Sequence, residues 1–172
     1  MRETKNLEFK EKLTNTFLKT VSAFANYGSG KIKFGIKDDG SIVGVKNPVE
    51  FCLNVENKIN DSIKPNPDYN LEIDPKTNVV TLTVKQGVNP PYLYKSKAYK
   101  SNDSASIEVD RSELSQLILI GENRTYDSLT AMNQNLSFNI LEEALKEKIG
   151  IKSLTSDILI TLNLERKDTS YT

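Results

Sequence analysis

The apolar positions in the first part of the chain change period twice, from strand spacing to helix spacing and back. Leu7 and Phe9 alternate with Glu8 and Lys10, and this alternation predicts a half-buried β-strand. Apolar residues then recur every three or four positions, which predicts an amphipathic helix that ends at Asn26. The apolar stripe of that helix consists of Leu13, Phe17, Val21 and Phe24.

Two glycine-containing turns follow this helix. The segment Gly28-Ser29-Gly30 is predicted to be a loop, because glycine tolerates positive φ. Apolar alternation returns over residues 32–36, and the Asp39-Gly40 pair after it is a strong signal for a tight hairpin. Residues 42–45 are therefore predicted to form the return strand.

The next part of the chain predicts a second helix and a second hairpin. Pro48 suits the first turn of a helix that ends before Pro65. Apolar residues alternate with polar ones over residues 71–73 and again over residues 80–84, with turn-forming residues between them. We expect these two segments to pair as antiparallel strands.

Tyrosines and lysines interleave over residues 92–100, where we expect a further strand. Tyrosine rings can stack on unpaired bases while lysines contact phosphates. The same pattern also suits an ordinary strand that turns Leu93 inward and leaves its lysines in water. Asp110 and Glu113 have the spacing of a capping box, which predicts a helix that begins there and ends at Gly121.

These elements predict one larger domain followed by a smaller appendage. The first domain spans residues 1–121, and residues 122–136 are polar and turn-rich enough to be a linker. Residues 137–172 contain two short helical patterns, which cannot build much of a core unaided. We expect this helical appendage to be the start of a longer C-terminal region.

Composition narrows the chemistry that the chain can perform. No apolar run is long enough to span a membrane, and charged residues interrupt any secretory signal, so we expect a cytoplasmic protein. Histidine is absent, which excludes histidine-based catalytic triads and imidazole metal ligands. The single cysteine, Cys52, lies on the apolar face of the second predicted helix, as expected for a buried, inert thiol.

The net charge is zero, but basic residues are concentrated in two segments. Residues 1–37 carry eight basic and three acidic side chains, and residues 85–100 carry four lysines and no acid. A surface formed by these segments would attract polyanions. The pattern agrees equally well with a lysine-rich surface that only contacts water.

Four of these stretches together resemble a known family. They are ExxxxEFK from Glu3, KTVSAFAN from Lys19, the glycine-rich turn, and GIKDDGSIVGV from Gly35. In this order they resemble the Schlafen/AlbA-like domain over roughly residues 3–120. The resemblance implies an α/β (α+β) fold, with an antiparallel or mixed sheet and flanking helices.

The resemblance also implies a nucleic-acid-binding module of a bacterial transcriptional regulator, with DNA as the first expected ligand and no enzymatic activity. Bacterial members are described as regulators or helicase-related proteins, and others are animal Schlafen proteins. We expect binding to be salt-sensitive and without base specificity, since no recognition helix stands out. The predicted contacts come from Lys10, Lys31, Lys33, Tyr94, Lys97, Tyr99 and Lys100.

Some Schlafen-type domains are RNA endonucleases that use two glutamates of the ExxxxE motif and an aspartate at the hairpin. The resemblance places the glutamates at Glu3 and Glu8, and the aspartate position falls on Lys37 or Asp38. Carboxylates suit Mg²⁺ or Mn²⁺, which would be needed only for a nuclease. An alternative function is therefore a metal-dependent RNA endonuclease with Glu3, Glu8 and Asp38 as its catalytic residues and metal ligands.

A third interpretation is a protein-interaction domain that forms a homodimer through its sheet edge or its terminal helices. We expect no cofactor for a pure binding module.

Overall fold

The computed structural model describes residues 3–102, 105–168 and 170–172, and the chain forms two compact units, residues 1–122 and residues 123–172. Across these described residues the strands are β1 (Leu7–Lys10), β2 (Gly30–Phe34), β3 (Ile63–Lys64), β4 (Tyr69–Ile73), β5 (Val80–Val84), β6 (Leu93–Tyr94), β7 (Tyr99–Asn102) and β8 (Ala105–Glu108). The α-helices are α1 (Phe17–Tyr27), α2 (Pro48–Ser62), α3 (Arg111–Gly121), α4 (Asn139–Ile149) and α5 (Ser156–Thr161).

A mixed four-stranded sheet with the order β1-β2-β5-β4 is the framework of the first unit. Strand β1 runs parallel to β2, whereas β5 is antiparallel to both β2 and β4. Two further antiparallel pairs, β3 with β6 and β7 with β8, lie outside this sheet. The expected α/β fold with a mixed sheet and flanking helices is confirmed.

The two faces of the four-stranded sheet differ because side chains alternate along each strand. One face, which we call the inner face, carries Ile32, Phe34 and Leu82, all fully buried in the main core. Helix α1 contributes Phe17, whose ring meets that of Phe34 edge-on at 5.6 Å, and α2 contributes Val55. The opposite, outer face carries Lys31, Lys33 and their cross-strand neighbours.

The hairpin after β2 departs from the sequence-based expectation. Residues 37–41 do form a tight turn, in which the Gly40 N–H donates to the Lys37 carbonyl at 2.8 Å. The return segment is not a strand, because it meets the outgoing chain in a single bridge between Ile36 and Ile42. Both sides of β2 are already paired with β1 and β5, so the sheet has no free edge there for a return strand.

The predicted helix starts are correct at α2 and α3 and too early at α1. Pro48 is the first residue of α2, and Asp110 and Glu113 form the complete capping box that begins α3. Helix α1 begins at Phe17, so Leu13 precedes the helix, although its side chain still packs against the core.

The second unit, residues 123–172, has a small core. Among its described side chains, Leu159 and Glu165 are buried, and the Glu165 carboxylate accepts a hydrogen bond of 2.7 Å from Ser156. The rings of Phe138 and Tyr171 pack edge-on at 5.2 Å. No helix among the described residues is long and apolar enough to cross a bilayer.

Candidate nucleic-acid interface

Lys31 and Lys33 project from the outer face of the central strand β2. Lys31 lies between Leu7 of β1 and Thr83 of β5, and Lys33 lies between Phe9 and Thr81 in the same way. This arrangement follows from the alternation of the β2 sequence, in which Ile32 and Phe34 point to the core and the lysines point away.

The ammonium groups of these two lysines are available for an anion. Lys31 is exposed and Lys33 half-buried, and within the described part of the chain neither forms an ion pair with a carboxylate. The neighbouring hydroxyls of Thr81 and Thr83 are half-buried on the same face, and hydroxyls of this kind commonly contact phosphate oxygens. The outer face therefore combines two cations and two hydroxyls on rigid strands.

The other predicted phosphate-binding lysines are engaged with acids. Lys10 Nζ lies 2.5 Å from a Glu8 carboxylate oxygen, and Lys97 Nζ lies 2.7 Å from one of Glu108. Lys100 forms an ion pair with Glu113 of the capping box.

Their positions also differ from those of the β2 lysines. Lys10 pairs with Phe34 in the register, so it lies on the inner side of the sheet, opposite Lys31 and Lys33. Lys97 and Lys100 belong to the β6–β8 region outside the four-stranded sheet. The described residues therefore do not gather these five lysines on one surface.

Folding also neutralises much of the positive charge in residues 85–100. Lys85 pairs with Asp68 at 2.9 Å, in addition to the pairs made by Lys97 and Lys100. The remaining lysine, Lys95, places its ammonium 5.5 Å from the centre of the Tyr94 ring. The acids come from other segments, so a count over this segment alone overstates the positive charge of the surface.

The two tyrosines proposed to stack on bases are core residues. Tyr94 and Tyr99 are only 5% and 7% exposed and belong to the main hydrophobic cluster. Lys19 covers Tyr99, with its ammonium 5.6 Å from the ring centre. A base could stack on either ring only by displacing core contacts, so in this structure we assign these tyrosines to packing.

Glu3 and Glu8 line one small cleft at the end of β1. Hydroxyl groups of Thr20, Ser101 and Ser106 also line it, together with Lys5. A carboxylate oxygen of Glu3 accepts the Phe9 N–H at 2.8 Å, while Glu8 is paired with Lys10.

Asp38 lies elsewhere, in the exposed turn after β2, and does not line this cleft. The adjacent Asp39 caps the turn: hydrogen bonds from Ser41, first from its side chain and then from its backbone, lower the pKa of Asp39 below its ordinary value. Within the described residues, no three acidic or cysteine side chains are close enough to hold a metal ion. The described carboxylates therefore do not fit the expected three-ligand metal site, and we derive no metal-dependent step.

Two polar residues of the KTVSAFAN stretch have a role that the sequence interpretation missed. Ser22 and Asn26 lie four residues apart on α1, and both are buried. Ser22 Oγ donates to the Tyr92 carbonyl at 2.7 Å, and Asn26 bonds both the N–H and the C=O of Tyr92. These hydrogen bonds anchor the Tyr92 backbone to α1. The sequence signal that could have revealed this anchor is the presence of two polar residues on an otherwise apolar helix face.

Comparison with known proteins identifies the relatives of this fold. A sequence model of the family described as Schlafen, AlbA_2 matches residues 3–110, which is more than half of the chain. A search of curated proteins found no match.

Solved structures of other proteins are also similar to this chain. The DIP2311 protein from Corynebacterium diphtheriae superposes with a TM-score of 0.53 at 16% identity, over 98% of this chain and 39% of that protein. The N-terminal domain of a RecG-related protein from Nitrosomonas europaea gives a TM-score of 0.38 at 18% identity, over 62% of this chain and 80% of that domain. At these identities the first likeness concerns the fold alone, and the second carries no argument. The chain spans about two-fifths of the length of DIP2311.

Proposed function

We propose that this chain, which belongs to the Schlafen AlbA_2 family, is a nucleic-acid-binding module whose contact surface is the outer face of its four-stranded sheet. The observation that carries the proposal is that Lys31 and Lys33, on the central strand, form no ion pair with any carboxylate that the structure describes. Their ammonium groups sit beside the half-buried hydroxyls of Thr81 and Thr83 on the same face.

Strands hold these groups at a fixed spacing that suits a backbone of repeated phosphates. Residues two apart on a strand are separated by about 6.5–7 Å, which is close to the phosphate spacing of an extended nucleic-acid strand. The other strand residues of this face are Leu7, Phe9, Asn70 and Glu72. The Phe9 ring is buried, so these strands offer no exposed aromatic platform for base stacking. Binding should therefore be driven by phosphate contacts, with little dependence on base sequence.

Double-stranded DNA is the ligand we propose first, in keeping with a role in a bacterial transcriptional regulator. Lys97 and Lys100 could add contacts if a phosphate replaced their carboxylate partners. The Lys97 pair is half-exposed, and surface pairs of this kind are weak because water and salt screen them. Lys31 and Lys33 need no such exchange, so they remain the principal contacts.

The test is a fluorescence anisotropy titration of the full chain against labelled duplex DNA, single-stranded DNA and tRNA at several salt concentrations. We expect the logarithm of affinity to fall linearly with the logarithm of salt, by roughly 0.9 for each phosphate contacted on duplex DNA. Tighter binding to tRNA than to duplex DNA would replace DNA by RNA as the ligand. Affinity that does not change with ionic strength would contradict the proposal.

An RNA endonuclease that uses the two glutamates without Asp38 is the second candidate, because Glu3 and Glu8 line a single cleft with three hydroxyl groups. Incubation of the chain with tRNA and Mn²⁺, beside a Glu8→Gln variant, tests it. Cleavage by the wild type and not by the variant would support a nuclease. Intact tRNA in both reactions, with binding retained, would leave the module a pure binder.

A further inference from the structure

Strand β4 is an edge strand whose outward hydrogen-bonding groups can be identified. The Lys85 N–H donates to the Asp68 carbonyl and the Asp74 N–H donates to the Val79 carbonyl, both at 2.9 Å. Bonded and non-bonded pairs alternate along an antiparallel ladder, so the even-numbered residues of β4 bond to β5. The N–H and C=O groups of Tyr69, Leu71 and Ile73 therefore point away from the sheet.

These outward groups have no hydrogen-bond partner among the residues that the structure describes. At the opposite edge of the sheet, a side chain does bond to the edge strand: the Glu3 carboxylate accepts the Phe9 N–H of β1. An edge strand with a free row of donors and acceptors is a template for pairing with another strand.

One face of α2 lies beside this edge, and its Val49 and Leu53 form an exposed apolar stripe. Tyr69 Oη donates to Asn60 Oδ1 of α2 at 3.3 Å, so the helix face that bears Asn60 adjoins β4. Helical spacing places Val49, Leu53 and Glu56 on the same face. Val49 and Leu53 are 77% and 55% exposed, and Ile73 at the end of β4 is 38% exposed. Exposed aliphatic side chains thus flank the unpaired backbone.

We propose that β4 pairs with β4 of a second copy of this chain, in an antiparallel arrangement centred on Leu71. The two four-stranded sheets then form one continuous sheet, and the two α2 helices pack against each other on its inner side. A two-fold axis makes the contact self-complementary, because the same strand and the same helix face are used by both copies.

The side chains of β4 suit this symmetric register. Leu71 faces its own copy, Tyr69 faces Ile73, and on the outer face the Asn70 amide faces the Glu72 carboxylate. The aliphatic side chains of Val49, Leu53 and Ile73 lose water as the α2 helices meet, which favours association. An unrelated strand could use the free backbone, but the symmetric pairing also covers this apolar stripe.

The same register brings Asp68 of one copy opposite Asp74 of the other. Each carboxylate already has partners in its own chain: Asp68 pairs with Lys85 at 2.9 Å, and Asp74 accepts a hydrogen bond from Thr77 at 2.8 Å. The residual repulsion is screened by salt, so dimerisation should strengthen as salt is added. Nucleic-acid binding should weaken under the same change, which keeps this proposal distinguishable from the proposed function.

Sedimentation equilibrium of the full chain, over a range of protein and salt concentrations, tests the dimer. Leu53→Lys and Ile73→Lys each add a charge beside the edge and should weaken dimerisation at least tenfold. The matched control is Ile118→Lys, at a 41% exposed position on α3, which should dimerise as the wild type does. Circular dichroism should show all three variants folded. A wild type that stays monomeric at every concentration, or variants that dimerise unchanged, would overturn the proposal.

Cross-linking tests the register directly. Cys52 is the only cysteine, so a Cys52→Ser background carrying Leu71→Cys holds one thiol at the proposed axis. Directly opposed residues of a bonded antiparallel pair have Cα atoms about 5.5 Å apart, within reach of a disulfide. Oxidation should give a covalent dimer with Leu71→Cys and much less with Ile107→Cys in the same background. Equal cross-linking of the two variants would rule out this register.

Discussion

Asn26 of α1 binds both backbone polar groups of Tyr92. Its Oδ1 accepts the Tyr92 N–H at 2.7 Å, and its Nδ2 donates to the Tyr92 carbonyl at 3.0 Å. Ser22, one helical turn earlier, donates to the same carbonyl at 2.7 Å. These buried bonds attach the segment that leads into β6 and β7 to helix α1. Neither β6 nor β7 belongs to the four-stranded sheet.

We predict that Asn26→Ala destabilises the first unit by about 2–3 kcal/mol, because it leaves the buried Tyr92 N–H without a partner. Urea unfolding followed by circular dichroism measures the change. The control is Asn54→Ala on the exposed face of α2, which should stay within about 0.5 kcal/mol of the wild type. Equal stabilities of the Asn26 and Asn54 variants would show that the anchor contributes little.

The second prediction concerns Gly30, where a side chain would collide with a neighbouring ring. A Cβ atom at Gly30 would lie 2.5 Å from the Phe24 ring, which is itself buried. Gly30→Ala should therefore cost about 1–3 kcal/mol through overpacking. In the Gly30→Ala/Phe24→Leu double variant, the smaller leucine side chain leaves room for the added methyl group. The double variant should therefore lose less unfolding free energy than the sum of the losses of the two single variants. Strict additivity in urea unfolding would contradict this account.

The two glycines of the Gly28-Ser29-Gly30 turn show what the sequence could predict. Gly28 has a φ of +151°, as expected for a loop after a helix. Gly30 begins β2 instead, and its requirement comes from the ring of Phe24, a contact that depends on how α1 packs on the sheet. The turn at Gly28 could be predicted from the sequence, whereas the steric requirement at Gly30 is visible only in the folded structure.

The same division holds for the candidate interface. The alternation of β2 predicted that Lys31 and Lys33 share a face, and the register places them so. The pairing of Lys100 with Glu113 joins residues from two different elements, so no local pattern could reveal it. The alternation of residues 92–100 also could not show that Tyr94 and Tyr99 both turn inward, since a short turn between β6 and β7 changes the phase.

The Lys100–Glu113 pair predicts how stability changes in acid. Glu113 accepts a hydrogen bond from Lys100 and another from the Asp110 N–H. These bonds, the first more than the second, lower the pKa of Glu113 below its ordinary value of 4.5. The unfolded chain therefore binds this proton at a higher pH than the folded chain does. The stabilisation is complete above the unfolded-state pKa and is lost as the pH falls through the lower folded-state value.

Glu113→Gln removes this titration while keeping a side chain that suits the third position of a capping box. Between about pH 5 and about pH 3, the wild type should lose more stability than the variant, in urea unfolding at each pH. Glu147→Gln, at an exposed position of α4, should follow the wild-type curve. A Glu113→Gln curve parallel to that of the wild type would contradict the assignment.

Charge reversal on the outer face tests the proposed interface at residue level. Lys31→Glu and Lys33→Glu should each weaken binding to duplex DNA and reduce the salt slope by roughly 0.9, because each removes one phosphate contact. The matched control is Lys58→Glu on α2, which lies on the inner side of the sheet and whose ammonium bonds to Asn15 at 2.8 Å. The same loss of affinity in all three variants would mean that net charge, and not this face, attracts the nucleic acid.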